Sequence, residues 1–177
     1  MTNKLLVGST ILLLAATSAM GAHNARHDLG DYYRANELSL DLFGTASLGK
    51  SSIQDISGST VEDDTELGVG AGLSYFFTRN IGLGAEAYSE NTTGTFVDSA
   101  SLNLIVRFPL GQSGFAPYVF GGGGRQFDQD ELWFWQLGAG LEYRFNPQIG
   151  IFLDARWVLP EETDYYGVAR LGLRFAF

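Results

Sequence analysis

Cysteine is absent from all 177 residues, histidine occurs only at positions 23 and 27, and proline occurs four times. Without cysteine there is no disulfide framework, thiolate zinc site, iron–sulfur centre or thiol nucleophile, so burial and hydrogen bonding alone must hold the chain together. Basic residues are also scarce: 11 Lys and Arg stand against 20 Asp and Glu, a net charge of −9. A nucleic-acid footprint needs clustered positive charge, and that partner is excluded. The longest apolar stretch, Leu5 to Ala16, falls short of the roughly 20 residues a spanning helix requires. Both histidines precede the first periodic segment, so a Ser–His or Asp–His hydrolytic centre has no base on the folded body. A palmitoyltransferase-like barrel lacks its amphipathic N-terminal helix and acyl slot here. Nor does a metal or cofactor motif survive inspection. His23 and His27 lie beside Gly30 in a leading segment. Glu62-Asp63-Asp64-Thr65-Glu66 has neither the glycine nor the spacing of a calcium loop, and Gly121 to Gly124 is not followed by Lys-Ser/Thr. The expectation is a non-enzymatic chain with no cofactor and no metal.

What is present is order of a particular kind. Lys4, the apolar stretch after it and the small residues Thr17, Ser18, Ala19 and Gly21 have the layout of a secretory signal peptide over 1–21. A tail, 22–35, follows. From 36 to 177 apolar residues recur with period two in eight segments: 36–48, 65–77, 81–90, 95–108, 116–124, 131–145, 149–158 and 165–177. Short connections at 78–80, 109–115 and 146–148 alternate with polar, largely acidic ones at 49–64, 91–94, 125–130 and 159–164. An even number of antiparallel strands with turns at one end and longer polar loops at the other predicts an all-β, eight-stranded up-and-down transmembrane barrel. Loops should face outward and both termini the periplasm.

The two faces of each segment then acquire roles. Phe77, Phe96, Phe108, Tyr118 (with Phe120), Trp133, Trp135, Phe145, Trp157 and Tyr165 fall at segment ends on the apolar face, as aromatic girdles at the two lipid–water boundaries would. The opposite face carries Glu37, Asp41, Glu86, Arg107, Glu142, Arg144, Asp154, Arg156, Arg170 and Arg174, five acids balanced by five arginines. Arginine without lysine suits enclosed pairing better than a solvated surface. Glu37 and Asp41 are the expected partners of Arg174, because the first segment must meet the last to close the barrel. Setting Phe77 opposite Ile81 and Phe145 opposite Ile149 places Glu86 and Tyr88 across from Gly72 and Gly70, and Asp154 and Arg156 across from Gly140 and Gly138. In a lumen just wide enough for side chains, large must face small, which accounts for many of the 23 glycines.

The eight-segment plan, the run Pro117 to Gly124, the run Gly138 to Phe145 and the ending Arg170 to Phe177 resemble the transmembrane domain of the outer-membrane protein A family of small barrels. The resemblance implies that Leu171, Leu173, Phe175 and the final Phe177 are the assembly signal read by the barrel-assembly machinery, and that outer-membrane lipid surrounds the wall. The chain stops at Phe177, so a peptidoglycan-binding domain and a cell-wall anchoring role are not expected. The expected function is structural or cell-surface interaction by a monomer, with a surface ligand that the sequence does not name. A small porin-like channel and a soluble exported lipocalin-like barrel are the alternatives.

Overall fold

The computed structural model describes residues 31–48, 66–89, 97–127, 132–161 and 165–177. Positions 1–30, 49–65, 90–96, 128–131 and 162–164 lie outside the described residues, and with them the signal-peptide reading and the girdle assignment of Phe96. Eight strands, β1 (Glu37–Leu48), β2 (Leu67–Phe76), β3 (Ile81–Ser89), β4 (Ser99–Arg107), β5 (Phe115–Gln126), β6 (Trp133–Asn146), β7 (Ile149–Pro160) and β8 (Tyr166–Ala176), pair antiparallel in sequence order. β1 pairs with β8 to close the barrel, so that none of these eight strands is an edge.

The turns follow from side chains able to satisfy their own backbone. Thr78 Oγ1 accepts the N–H of Asn80 (3.2 Å) and Ile81 (2.9 Å), which turns β2 into β3. Asn146 Oδ1 accepts Gln148 N–H and Ile149 N–H, both at 2.9 Å, between β6 and β7. The connection from β4 to β5 uses Gly111 and Gly114 at φ of 59° and 76°, conformations a β-carbon disfavours.

Registers across the two tight hairpins place the large-against-glycine pairs where the spacing predicts them. Tyr88 faces Gly70, Glu86 faces Gly72, Asp154 faces Gly140 and Arg156 faces Gly138. A β-bulge between Arg144 and Asn146 pairs Asn146, not Phe145, with Ile149. The extra residue is absorbed at the strand end, where a bulge costs little pairing, so the ladder above it keeps its expected register.

The wall separates two environments. Leu67, Leu102, Leu137, Leu153 and Leu171 stand exposed on the outer face, while Arg107, Arg144, Arg156, Glu37 and Glu142 are buried in the lumen. That inverts a soluble barrel, and so continuous an apolar exterior is stable only against lipid. It removes the lipocalin-like alternative.

Candidate functional site

All ten charged residues assigned to the inner face lie in the lumen, and each makes at least one ion pair. They form two balanced groups. Near the chain termini Glu37 accepts from Arg107 Nη1 (2.8 Å) and from Arg144 Nη1 and Nη2 (2.8 and 2.6 Å). Arg144 Nε also donates to Glu142 (2.6 Å), whose other oxygen accepts from Arg174 Nη1 (2.5 Å). Arg174 in turn forks both oxygens of Asp41 at 2.7 Å. Midway along the lumen Glu86 pairs with Arg156 and Arg170, and Arg170 forks Asp154 at 2.8 and 2.7 Å. Such bidentate, charge-assisted bonds offset the cost of enclosing the charges, and guanidinium forks supply the geometry that lysine cannot.

Arg174 therefore takes Asp41 and Glu142, and not Glu37. The β1–β8 register sets Asp41 directly opposite Arg174, whereas Glu37 lies beyond the last pair, Ser39 with Ala176, and reaches across to β4 and β6.

Aromatic rings fill the space between the charges. The Arg107 guanidinium carbon lies 3.6 Å from the centre of the Phe76 ring, and Arg170 lies 4.8 Å from Phe43, 5.4 Å from Phe120 and 5.5 Å from Phe152. These stacked cations gain from the ring faces as well as from the carboxylates. A cavity of about 20 Å³ lies beside Asp41, Ser74, Glu86, Asn103 and Tyr118, room for a single water, and a more open recess of about 320 Å³ is lined by Arg156, Trp157, Tyr165 and Tyr166 toward the opposite rim.

One girdle assignment is corrected. Tyr118, and Phe120 with it, face the lumen, each 4% exposed. β5 is apolar on both faces, so alternation alone could not orient it. Its neighbours decide: Tyr118 pairs with the inward-facing Arg107 and Gly140, and Phe120 with Gly138. A β-carbon at Gly140 would fall 2.7 Å from the Tyr118 ring, and one at Gly138 would fall 2.4 Å from Phe120. The rule that large faces small, applied between β5 and β6, is the signal that finds this orientation. Tyr118 then donates its hydroxyl to Asp154 at 2.5 Å. On the outer face at the terminus-side end stands Phe115 instead, its ring centre 4.5 Å from that of Tyr143 and tilted 38° to it. Phe77, Phe108 and Phe145 at one end and Trp133, Trp135, Trp157 and Tyr165 at the other all stand exposed on the outer face, as do Leu171, Leu173 and Phe177.

Two further parts of the lumen carry no sequence signature. Gln136 Nε2 donates to Ser101 (2.9 Å) and Asn103 (2.7 Å) and lies 3.3 Å from Glu86, while Oε1 accepts from Arg156 (2.7 Å), which knits the middle group to β4. Tyr33 is 1% exposed within the terminus-side mouth, so the described part of the tail, residues 31–35, is held against the barrel. Burial raises the pKa of its hydroxyl well above the usual tyrosine range, with Glu142 adding to the effect, and it remains a neutral donor. Among the described residues no cluster of His, Asp and Glu is arranged to hold a metal.

Solved structures with this fold include three bacterial barrels. The N-terminal β-barrel domain of OprF from Pseudomonas aeruginosa is 20% identical with a TM-score of 0.64, the match covering 81% of this chain and 99% of that one. Neisserial surface protein A is 12% identical with a TM-score of 0.55, covering 80% and 96%. Ail, the attachment invasion locus protein of Yersinia pestis, is 16% identical with a TM-score of 0.53, covering 81% and 99%. No curated protein matches the chain at the level of sequence. The model of the outer membrane protein β-barrel domain matches residues 11–177. A closed eight-stranded wall, apolar outside and ion-paired within, matched over nearly its whole length by that model, makes the chain a member of the outer membrane protein β-barrel family.

Proposed function

We propose that the protein is a monomeric outer-membrane barrel whose lumen is a rigid core and whose four longer connections carry surface interactions, with its termini and short turns in the periplasm. The observation that carries this reading is the packed middle of the lumen, where ten paired charges and the rings between them surround a cavity of about 20 Å³, room for one water. A porin needs an aqueous thread, and barrels of about 16 strands are those that leave one. A core so thoroughly cross-linked supports a role in presenting loops at a fixed spacing. Aromatic belts at both rims favour outer-membrane lipid as the surrounding partner, and Leu171, Leu173, Phe175 and Phe177 are the residues offered to the assembly machinery.

Ail has been crystallised with the heparin analogue sucrose octasulfate. The longer connections here hold Asp55, Glu62, Asp63, Asp64, Asp128, Asp130, Glu161, Glu162 and Asp164, a composition that favours a cationic or neutral surface ligand over a sulfated polyanion.

Two measurements test the proposal. Purified protein in planar bilayers should give no stable conductance steps of porin size; regular steps in most insertions would install the channel reading instead. Single cysteines at Gln54, Thr92, Gln129 and Thr163 should react with an impermeant reagent on whole cells, and those at Arg79 and Gln148 should not. Equal labelling of both sets would overturn the orientation.

A further inference from the structure

The six residues ahead of β1 turn back onto the barrel. Asn36, the last residue before β1, has φ of 56°, a left-handed conformation that side chains rarely adopt. Tyr33 then enters the mouth, its ring centre 4.9 Å from the guanidinium carbon of Arg107 and 4.5 Å from that of Arg144. Its hydroxyl donates to Gly114 O at 2.7 Å. On either side of Tyr33 the backbone caps the same two arginines: Tyr32 O accepts from Arg144 Nη1 (2.6 Å) and Arg34 O from Arg107 Nη2 (3.1 Å). Outside the mouth, Asn36 Oδ1 accepts from the Tyr75 hydroxyl (3.2 Å), and Asp31 pairs with Arg79 (3.4 Å).

These bonds go to side chains of β2, β4, β6 and the β2–β3 turn and to the main-chain oxygen of Gly114, and none of them is a strand-ladder bond. The segment can therefore leave without breaking a β-pair. Behind it, Glu37, Arg107 and Arg144 are buried to within 1% of complete exclusion, although Glu37 and Arg107 occupy the last ladder positions before the mouth and Arg144 the one before last. Strand ends alone do not exclude water so fully; a lid does.

We propose that residues 31–36 are a strap that seals the terminus-side mouth, with Tyr33 as its stopper, and that the strap sets access to the Arg107–Glu37–Arg144 cluster. Its opening is a local event, separable from unfolding of the barrel.

An arginine-directed dicarbonyl, phenylglyoxal, reads this on the purified, folded full chain, with modified sites mapped by mass spectrometry. In the unaltered protein Arg107 and Arg144 should be protected. Tyr33→Ala should raise their modification rate roughly tenfold or more, as expected for a local opening, while Arg156 and Arg170 deeper in the lumen stay unreactive. Rapid modification of Arg107 and Arg144 in the unaltered protein, or full protection in folded Tyr33→Ala, would overturn the strap. Should Tyr33→Ala fail to fold, Asn36 decides the matter from outside the mouth. Both Asn36→Gly and Asn36→Val lose the bond from Tyr75, but only glycine accepts the left-handed turn, so Val should expose the arginines and Gly should keep them covered. Equal rates in those two variants would count against the proposal.

Discussion

Arg174 and Leu173 are covalent neighbours on β8, yet the first is 4% exposed in the lumen and the second 46% exposed on the outer wall. The same strand meets two solvents with different demands. Outside, lipid tails are as apolar as any leucine, so a side chain must be apolar and is otherwise nearly interchangeable. Inside, each of the ten charged residues has named partners at hydrogen-bond distance, so identity matters position by position. One face is specified by class and the other by geometry.

The sharpest way to break this comparison is to truncate the two neighbours. Arg174→Ala leaves Asp41 and Glu142 short of a partner in an enclosed site, a loss of roughly 3–5 kcal/mol for a broken buried pair. Leu173→Ala removes three carbons from the outer wall and should cost about 2 kcal/mol, the transfer of that apolar surface out of water at roughly 0.8 kcal/mol per carbon. Equilibrium unfolding by urea in lipid vesicles measures both, and equal losses would erase the distinction between the faces.

Adjacent glycines on β5 give the next test. A β-carbon at the inward Gly122 would lie 1.9 Å from the carbonyl oxygen of Leu102, whereas at the outward Gly121 its nearest neighbour is Leu137 Cδ1 at 3.4 Å. Backbone cannot move aside as a side chain can, so Gly122→Ala should fall near the upper end of the overpacking range, about 3 kcal/mol. Gly121→Ala should be close to neutral in the same unfolding assay.

The smallest expected effect compares two tyrosines. Tyr118→Phe removes a 2.5 Å bond to the Asp154 carboxylate and should destabilise by about 2 kcal/mol, as for other hydrogen bonds to charged groups. Tyr165, 71% exposed at the opposite rim, should lose less than about 0.5 kcal/mol on the same change. A larger loss at 165 would return the polar handle to the outer girdle.

These contrasts also explain which features could be read from residues alone. Eight strands, their order and two hairpin registers followed from period-two alternation and from turn residues, because both act over a few neighbouring positions. The inward direction of Glu86 or Asp154 followed from charge, since an unpaired carboxylate cannot face lipid. β5 defeated the same reasoning: with Ala116, Tyr118 and Phe120 on one face and Phe115, Pro117 and Val119 on the other, both faces satisfy the rule for lipid. Only Gly138 and Gly140 on the adjacent strand show which set has room inside.

The partners of each charge were a different kind of unknown. That Arg174, Asp41, Glu37 and Glu142 share a lumen is a property of alternation, and so was determined by the sequence. That Asp41 and Glu142 take Arg174 while Glu37 joins Arg107 and Arg144 depends on β1 closing against β8 at one register and on side chains meeting across the barrel. Tyr33 belongs with these: nothing in Asp31-Tyr32-Tyr33-Arg34-Ala35-Asn36 marks a strap until Asn36 turns left-handed and two arginines from distant strands offer their faces. Alternation is written in the order of residues because it is a local steric property of an extended chain. The choice of partner was left to the closed tertiary structure because it depends on distances between residues 70 and 107 positions apart.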